Sequence, residues 1–502
     1  MKNTRVFKNA VSSALIYGGL LVFNIVASKV LLAGYGSEVN GLLSSVNQLF
    51  SYIALLEAGI GTATITALYK PMVEKNEEKV GDVLSSSRKF YNTSAKWYAL
   101  CVVAVSFVWP FLIDTTISHW IIRGVILIQG LSGIITFCYT ATITNYMVAS
   151  GRNYINNNIH IFTTLLAYFL KLLICYANMN ILFISASLVA VNLLKCLLYR
   201  VEMKKHCPEY YMKRKADVSL LKQRRSFLAH EISGVIFAST DTIILSIFCG
   251  LEIASVYAVY AMVFTALSTI ISQVFSGTNY ILGESYSQDK ENYPETHDMF
   301  NGVYICAVFL LFTVAYLFAL PFVMLYTKDI SDANYSDGKL PLLFVVIQLL
   351  SSCRIVDNQL IRISLHAKQT IKASVIESVI NIFASLILVQ FIGIYGVLCG
   401  TILALLYRTN DIILYTNRTI LQRSAKKEYV LYGSNIAVFA VIALLREKIT
   451  IDAFSYTQLV AYAVVGFVLV SVVYLAANMI INPEFRLFIV GVFARKNADQ
   501  KT

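Results

Sequence analysis

The sequence predicts an all-α polytopic membrane protein, and three observations lead to that prediction. Hydrophobic residues make up 57% of the 502 positions and charged residues only 14%, with a mean hydropathy of +0.66. Fourteen apolar runs are each long enough to cross a hydrocarbon core of roughly 30 Å as a helix. Two stretches about 214 residues apart repeat one pattern. A soluble globule of this size needs more polar surface than this composition supplies, so we exclude the soluble classes.

The apolar runs are joined by short connections, which bears on the class of protein. No outer connection is long enough for a catalytic domain, and the sequence has no metalloprotease, phosphate-loop or nucleophile-elbow motif. A polymerase or acyltransferase acting inside the membrane would show a long outer loop or an intramembrane histidine, whereas the six histidines fall mostly at the ends of runs. We therefore predict a transporter and not an enzyme. The runs lie at residues 11–33, 42–69, 97–114, 120–149, 157–177, 180–200, 227–250, 256–282, 300–324, 339–365, 371–392, 394–417, 429–446 and 456–482.

An internal duplication organises the chain. Residues 36–42 and residues 250–257 share a glycine, an acid two positions later and an apolar continuation. Further along, Leu-Leu-Tyr-Arg ends an apolar run at 197–200 and again at 405–408. Duplicated halves that pack about an axis create a shared central pathway, which is the architecture of transporters.

The duplication predicts three parts. Six helices within 1–215 form an N-terminal lobe, six within 216–425 form a C-terminal lobe, and 426–502 hold an extra helix pair and a cytoplasmic tail. Because six is an even number, both lobes enter the membrane from the same side. We therefore expect an axis along the membrane normal to relate them.

The basic residues determine the predicted orientation. With a cytoplasmic N-terminus, the inner segments hold about 31 of the 41 lysines and arginines, and the outer segments hold about five. This asymmetry predicts a multi-pass protein of the plasma (inner) membrane with both termini, the 70–96 loop and the 200–226 linker in the cytoplasm. It also accounts for the net charge of +12 through topology and anionic lipid headgroups, so we predict no nucleic-acid partner. The first run is too long for a cleaved signal peptide, and we expect it to stay in the mature chain.

The nine cysteines are scattered, mostly inside the apolar runs, and none forms a C-x-x-C pair. Buried cysteine packs as a small apolar residue. We therefore expect neither disulfides nor a metal site, and we predict no cofactor.

Residues 34–42, Gly-Tyr-Gly-Ser-Glu-Val-Asn-Gly-Leu, are followed at 56–63 by Leu-Glu-Ala-Gly-Ile-Gly-Thr-Ala. A first helix, a short glycine-containing outer turn and a second helix with a Gly-x-Gly step follow one another here. In this the chain resembles the polysaccharide-transport (Wzx-type) flippases of the MOP exporter superfamily. Length, span pattern and duplication extend the resemblance over the whole chain.

The resemblance implies a V-shaped, two-lobe, MATE-like bundle of about fourteen transmembrane helices that faces the cytoplasm and the outside in turn. Its implied substrate is a lipid-diphosphate-linked oligosaccharide, a precursor of cell-surface polysaccharide, with H⁺ or Na⁺ as coupling ion. The rival is an ion-coupled multidrug or amphiphile exporter of the MATE type. Those exporters usually have twelve spans, and many place an acid in the first helix. Here that helix has Asn24 and Lys29 but no Asp or Glu.

Two arginines lie deep in predicted spans, where a charge costs about 3 kcal/mol or more unless it meets a partner or a cavity. Arg354 and Asp357 are three residues apart, as are Arg408 and Asp411. Each pair would share one helical face and could neutralise itself. The alternative is that Arg354 and Arg408 contact an anionic substrate.

Two lysines and two acids complete the predicted site. Lys29 and Lys171 either extend to the interface or line a cationic pathway for a diphosphate. Glu57 and Asp241, which lie deep in predicted spans, are the candidates for binding the coupling ion. The span of Asp241 holds no basic residue except the distant His230, and an unpaired acid there is protonated unless it faces water. For Asp241 the alternative is a buried neutral acid that is hydrogen-bonded to a neighbouring helix. Glu377, near an inner helix end, is expected to be solvated.

Overall fold

The computed structural model describes residues 2–206, 221, 224–276, 278–446, 455–487 and 489–491. Within these residues the regular elements are all helical, which confirms the predicted fold class. Twelve helical stretches are long and apolar enough to cross a membrane, as expected of a multi-pass membrane protein. The α-helices are α1 (Lys2–Ile53), α2 (Ile60–Val73), α3 (Glu77–Leu112), α4 (His119–Ile135), α5 (Ala141–Ala149), α6 (Asn153–Tyr176), α7 (Ile181–His206), α8 (Arg224–Phe248), α9 (Leu251–Ser276), α10 (Thr278–Gln288), α11 (Tyr293–Tyr326), α12 (Leu340–Cys353), α13 (Ile355–Ile363), α14 (Ile371–Ile392), α15 (Ile394–Tyr415), α16 (Lys426–Arg446) and α17 (Tyr456–Ile481).

The twelve stretches and the fourteen predicted spans differ in how two regions are counted. The stretch Gly18–Glu57 is 40 residues long and holds a kink at Gly36, so it covers most of the first predicted span and the beginning of the second. In α8, only Ser239–Phe248 is counted, as a shorter apolar helix. With α1 divided at Gly36 and α8 included, the helices follow the fourteen predicted runs in order.

Within the predicted outer turn at 34–42, only Gly36 departs from helical geometry. α1 is helical on both sides of Gly36, whose φ of 83° and ψ of 175° are not helical. Glycine adopts this conformation without the steric cost that a Cβ would add. Gly250, 214 residues later, has a φ of 88° between α8 and α9. The two copies of the duplicated segment thus share a positive-φ glycine at the same place.

The predicted cytoplasmic loop at 70–96 is largely helical, which corrects the prediction. Only residues 74–76 separate α2 from α3. The Asn76 side chain caps α3 by accepting a hydrogen bond from the backbone N–H of Lys79 at 3.0 Å, and acids at 77 and 78 favour a helix N-terminus. The apolar pattern detects only the later part of α3, because the helix begins in a polar segment.

Two predicted spans are interrupted. Within the run at 120–149, a π-helical turn, Thr136–Thr140, joins α4 to α5. Within the run at 339–365, α12 ends at Cys353, and Arg354, with φ −95° and ψ 0°, separates it from α13. Breaks of the π type are frequent at functional sites.

The chain divides into two compact units, and residues 20–258 form one of them. In this unit α3 packs against α4, and α4 packs against α7. One apolar cluster, which includes Leu42, Tyr98 and Ile126, fills the space between these helices. Burial of such side chains is what holds the helices in place.

The two copies of the duplicated segment touch each other within the 20–258 unit. The Asn40 amide donates a hydrogen bond of 2.7 Å to the Ser255 hydroxyl. Gly41 lies directly on the Leu251 carbonyl, so that an added Cβ would be 1.8 Å from its oxygen. Only glycine permits two backbones to approach this closely.

Residues 1–19 and 259–502 form the other unit. α14 and α15 lie close together, and an added Cβ on Gly400 would be 2.4 Å from the Ser385 hydroxyl. The extra pair, α16 and α17, is joined by two reciprocal hydrogen bonds of 3.1 and 2.9 Å between the amides of Asn435 and Asn478. α17 also packs against α11.

The predicted lobe boundaries, 1–215, 216–425 and 426–502, and the axis relating the lobes stay predictions. Most of the 200–226 linker, at 207–220 and 222–223, lies outside the described residues. The same is true of the tail from residue 492 onward.

Candidate functional site

A cavity of about 830 Å³ lies in the 20–258 unit among α3, α7 and the region where α4 meets α5. Its charged lining residues are Arg88 from α3 and Arg200 and Lys204 from α7, and no Asp or Glu is among the residues that line it. The remaining lining residues are apolar or uncharged: Ile135, Cys138, Tyr139, Thr142, Ile143, Leu193, Cys196, Leu197 and Met203.

The interruption between α4 and α5 shapes one wall of this cavity. The π-helical turn contributes Cys138 and Tyr139, and α5 contributes Thr142 and Ile143. A π-turn places one more residue in a helical turn than an α-helix does, so it widens the helix locally. Because Tyr139 is 63% exposed, its ring is available to a ligand.

The three cations are exposed, and no acid among the described residues forms a salt bridge with them. Lys205, next to Lys204 in the sequence, does form a salt bridge, at 2.8 Å from Glu202. Three positive charges beside an apolar wall favour an anion that carries an apolar group.

The sequence does not predict this cavity, because it places residues 70–96 in a cytoplasmic loop and 200–226 in a linker whose basic helix lies on the membrane surface. The available signal was the spacing of the cations. Arg200 and Lys204 are four residues apart, so they lie on one helical face if the helix continues past residue 200. α7 does continue, to His206.

The two predicted pathway lysines do not line the cavity. Lys171 lies half-buried in α6 and interacts electrostatically with Cys175, one turn away. Lys29 lies half-buried in α1, on the N-terminal side of the Gly36 kink. Their role in binding a diphosphate stays a prediction.

Asp241, a predicted coupling residue, is buried in α8. The Tyr257 hydroxyl on α9 donates a hydrogen bond of 3.0 Å to its Oδ2 atom. Beside it, the Tyr52 hydroxyl is hydrogen-bonded to Thr240. The acid therefore has a neutral donor on the neighbouring helix, as the structural alternative for Asp241 expects. Its role in coupling stays a prediction.

Glu57, the other predicted coupling residue, ends a short 3₁₀ turn, Ala54–Glu57, between α1 and α2. Its side chain is half-buried and interacts electrostatically with Tyr98 of α3. Gly59, two residues later, precedes α2 with a φ of 75°. The turn accounts for the first glycine of the Gly-x-Gly step, whereas the role of Glu57 in coupling stays a prediction.

The predicted arginines of the 259–502 unit are held by acids. Arg408 donates to Asp411 at 2.5 Å, as predicted, and also lies 3.6 Å from Glu377. Arg354 donates to the same Glu377 at 2.5 Å. Two arginines and two carboxylates thus form a neutral chain, and substrate contact by Arg354 or Arg408 stays a prediction.

Two predictions about this chain of charges are wrong. Arg354 was expected to pair with Asp357 along one helical face, but the helix breaks at Arg354, so the three-residue spacing no longer brings the two side chains together. Asp357 instead lies 3.1 Å from His297. The sequence predicts a solvated Glu377, but its side chain is buried, because its carboxylate lies between Arg354 and Arg408 and contacts both.

Solved structures of MATE transporters share the architecture described above. The chain superposes on an inward-facing multidrug resistance MATE family transporter of the MOP superfamily with a TM-score of 0.67 and 14% identity, over 82% of this chain and 99% of that one. The chain has the MATE transporter fold. The MATE multidrug transporter DinF-BH gives 0.63 at 15% identity, over 84% and 96%. A Vibrio cholerae MATE transporter gives 0.58 at 13% identity, over 86% and 99%.

No protein-family model and no curated protein matches the sequence. The MATE fold confirms the predicted MATE-like helical bundle. A fold alone does not distinguish a flippase from a multidrug exporter. The charges of the binding surfaces must therefore distinguish these two functions.

Proposed function

We propose that the protein is a flippase that moves a lipid-diphosphate-linked oligosaccharide, a precursor of cell-surface polysaccharide, across the plasma (inner) membrane by alternating access. The observation that supports this proposal is the 830 Å³ cavity, whose charged lining residues, Arg88, Arg200 and Lys204, are all cations. A diphosphate needs positive charge and hydrogen-bond donors when it leaves water. A cationic drug would be repelled by the same three residues.

The rest of the cavity suits the lipid part of such a substrate. Leu193 and Leu197 are exposed along α7, one turn apart, on the same side as Arg200 and Lys204. A lipid chain can therefore lie on the leucines while the diphosphate contacts the cations. In the orientation set by the basic residues, with both termini cytoplasmic, these cations lie at the cytoplasmic ends of their helices, where a cytoplasmic substrate binds first.

We propose that Lys29 and Lys171 continue the cationic pathway, and that Glu57 and Asp241 take part in coupling to H⁺ or Na⁺. Arg354 and Arg408 would first have to leave their acidic partners to bind a phosphate. Their contribution to substrate binding therefore depends on a rearrangement of the Glu377 contacts.

A charge-matched pair of variants tests the proposal. The double variant Arg88→Gln with Lys204→Gln removes two cavity cations. The control Lys89→Gln with Lys205→Gln removes two exposed charges at the adjacent positions, which do not line the cavity. At equal amounts in the membrane, the cavity variant should lose surface-glycan export and the control should retain it. Normal export by both variants would contradict the proposal.

The second candidate function is multidrug export, which the names of the structural neighbours favour. A buried acid with a tyrosine donor, Asp241 with Tyr257, is a suitable group for binding a cation. Resistance of cells to a lipophilic cation, lost in Asp241→Asn and kept in Arg88→Gln with Lys204→Gln, would support export of drugs. The opposite dependence supports the flippase.

A further inference from the structure

A second group of charged side chains is buried in the 259–502 unit, apart from the Arg354–Glu377–Arg408–Asp411 chain. His297 and Asp298 of α11, Asp357 of α13 and Glu428 of α16 are all at most 8% exposed. The His297 Nε2 atom is 3.1 Å from Asp357 Oδ1, and its Nδ1 atom is 3.6 Å from Asp298 Oδ1. The imidazole thus lies between two carboxyl groups from two helices.

Both permanent cations of this group contact Asp298. Arg423 donates to both oxygens of Asp298, at 2.8 and 2.5 Å. Lys427 lies 2.7 Å from Asp298 and 2.6 Å from Glu484. Burial alone would lower the pKa of the Arg423 guanidinium, but the hydrogen bonds and the attraction of Asp298 raise that pKa above its usual range, so Arg423 stays charged.

Glu428, in contrast, accepts hydrogen bonds from neutral groups. Asn301 donates at 3.1 Å and Tyr432 at 2.7 Å to its Oε1 atom, and Asn417 donates to Oε2. The Glu428 carboxyl also lies within hydrogen-bonding reach of the Asp357 carboxyl, so these two acids can share a proton. Among the described residues no permanent cation forms a salt bridge with Glu428, and Arg423 interacts with it only at longer range.

A count of charges over the described residues shows an excess of negative charge. Four carboxyl groups, Asp298, Asp357, Glu428 and Glu484, face two permanent cations, Arg423 and Lys427. If all four carboxyl groups are ionised, the group carries two net negative charges with a neutral His297 and one with an imidazolium; a proton shared by Glu428 and Asp357 makes each total one unit less negative. Excess charge at a buried site is costly, so this group has a strong tendency to take up a cation.

Four buried polar atoms of the group have no hydrogen-bond partner among the described residues: His297 Nδ1, Asp357 Oδ2, Asn301 Oδ1 and Glu484 Oε2. Buried polar atoms are normally satisfied, so such atoms indicate a ligand or a proton. Beside them is a cavity of about 430 Å³ lined by Asp298, Asn301 and Glu428, among others. Water can therefore reach the edge of the group.

We propose that this group is a proton-binding site in which His297 holds a second proton on Nδ1, facing Asp298, while its Nε2 proton is donated to Asp357. The imidazolium then links α11 to α13 and offsets the charge of Glu428 on α16. When the proton leaves, Asp298 keeps its cations, Arg423 and Lys427, whereas Asp357 and Glu428 lose the positive charge between α11, α13 and α16. Proton binding therefore controls how these three helices pack.

The groups that face the imidazole come from every element packed around it. Asp357 and Asp298 lie beside its two nitrogens, and the Tyr293 ring centre is 6.3 Å from the ring centre of His297. The others act at longer range or through these residues: Cys353 from α12, Arg423 from the 421–425 connection, Lys427, Glu428 and Tyr432 from α16, and Glu484 after α17. The acids outnumber the permanent cations, so they favour the protonated imidazole.

We infer that the proton bound at His297 is the coupling ion, and only this step rests on the proposed transport function. Binding itself can be tested without a substrate. The purified full chain is labelled with nitrogen-15 in its histidine rings, and the ring nitrogens report which histidines are imidazolium. Above the ~6.5 pKa of a solvated histidine, we expect one imidazolium to remain among the six histidines.

His297→Gln should remove that signal, since glutamine keeps an N–H toward Asp357 but cannot titrate. The control His366→Gln changes another hydrogen-bonded histidine of the same unit, 2.9 Å from Tyr415, and should leave the signal unchanged. If the wild-type protein has no imidazolium at this pH, or if the signal survives in His297→Gln, the proposal is overturned. The wild-type spectrum decides this even if a variant fails to fold.

Coupling is tested in vesicles that contain the protein and a pH-sensitive dye. Addition of a polyprenyl diphosphate should cause proton flux through the wild type and through His366→Gln, and no flux through His297→Gln. An imidazolium without any flux in the wild type would contradict the proposed transport and leave the proton site supported. Equal flux through wild type and His297→Gln would overturn His297 as the coupling site.

Discussion

Arg200 and Arg408 end the two copies of the Leu-Leu-Tyr-Arg segment, yet their surroundings are opposite. Arg200 is exposed on a cavity whose charged lining residues are all cations. Arg408 is buried between Glu377 and Asp411. Both copies keep the arginine at the same place in the segment. Only Arg408 has acids beside it, Asp411 on its own helix and Glu377 on the neighbouring one. One copy offers a cation to a ligand, and the other uses a cation to neutralise carboxylates.

The largest effect is expected from removing each arginine in turn. Arg408→Gln leaves Asp411 without its cation and Glu377 with Arg354 alone, and it should lower the free energy of unfolding by about 3 kcal/mol. Arg200→Gln should change it by less than about 0.5 kcal/mol, as expected of an exposed residue. Thermal unfolding of the purified variants in detergent measures both. Equal losses in stability would remove the distinction between the two copies.

A smaller effect is expected where the two copies of the other duplicated segment meet. Gly41→Ala places a Cβ against the Leu251 carbonyl and should cost about 2 kcal/mol. Gly34→Ala is the matched control, because an added Cβ there has no atom within 4 Å. Thermal unfolding measures both variants. If Gly41→Ala is no less stable than Gly34→Ala, the contact between Asn40–Gly41 and Leu251–Ser255 is not important for stability.

The affinity for an anionic ligand should depend on the exposed Arg200. Arg200→Gln should weaken the binding of a polyprenyl diphosphate by about 1 kcal/mol, or roughly fivefold, which is typical of an exposed charge. Raising the salt concentration from about 0.1 to 1 M should weaken wild-type binding in the same direction, because salt screens exposed charges. Titration calorimetry of the purified protein measures both. Binding that is insensitive to the variant and to salt would argue against an anion in this cavity.

The smallest effect concerns a buried acid that has a neutral donor instead of an arginine. Tyr257→Phe removes the hydrogen bond to Asp241 and should cost only ~0.6 kcal/mol, the average for hydrogen bonds between membrane helices. Thermal unfolding of the variant, compared with that of Arg408→Gln, measures the difference. A loss as large as that of Arg408→Gln would indicate that Asp241 is ionised and depends on the tyrosine.

The helical content of the fold was predictable from the apolar runs, and some boundaries agree closely. The runs at 371–392 and 394–417 coincide with α14 and α15 within two residues, because Gly393, with a φ of 56°, separates two continuous apolar segments. The start of α3 was not predictable in this way, since it lies in a polar sequence. A hydropathy pattern measures the lipid-exposed part of a helix and not its whole length.

The candidate site was harder to predict than the fold. Asp411 was correctly assigned to Arg408, because α15 is continuous between them. Asp357 was wrongly assigned to Arg354, because the break at Arg354 leaves no sequence pattern such as proline or glycine. His297 does lie near the end of a helix, as the sequence predicts, since α11 begins four residues before it; its complete burial is not predictable from that position. Pairs between distant helices, such as His297 with Asp357, cannot be derived from spacing along one chain.

The cavity of Arg88, Arg200 and Lys204 also has an electrical consequence. In a cell whose interior is negative, moving a positive charge outward across the whole membrane field costs about 2.3 kcal/mol per 100 mV. For the transporter proposed above, the empty cavity carries three positive charges, and a bound diphosphate cancels part of them. The membrane voltage therefore opposes outward movement of the empty protein more than that of the loaded one. It favours an empty carrier that waits on the inside for its next substrate.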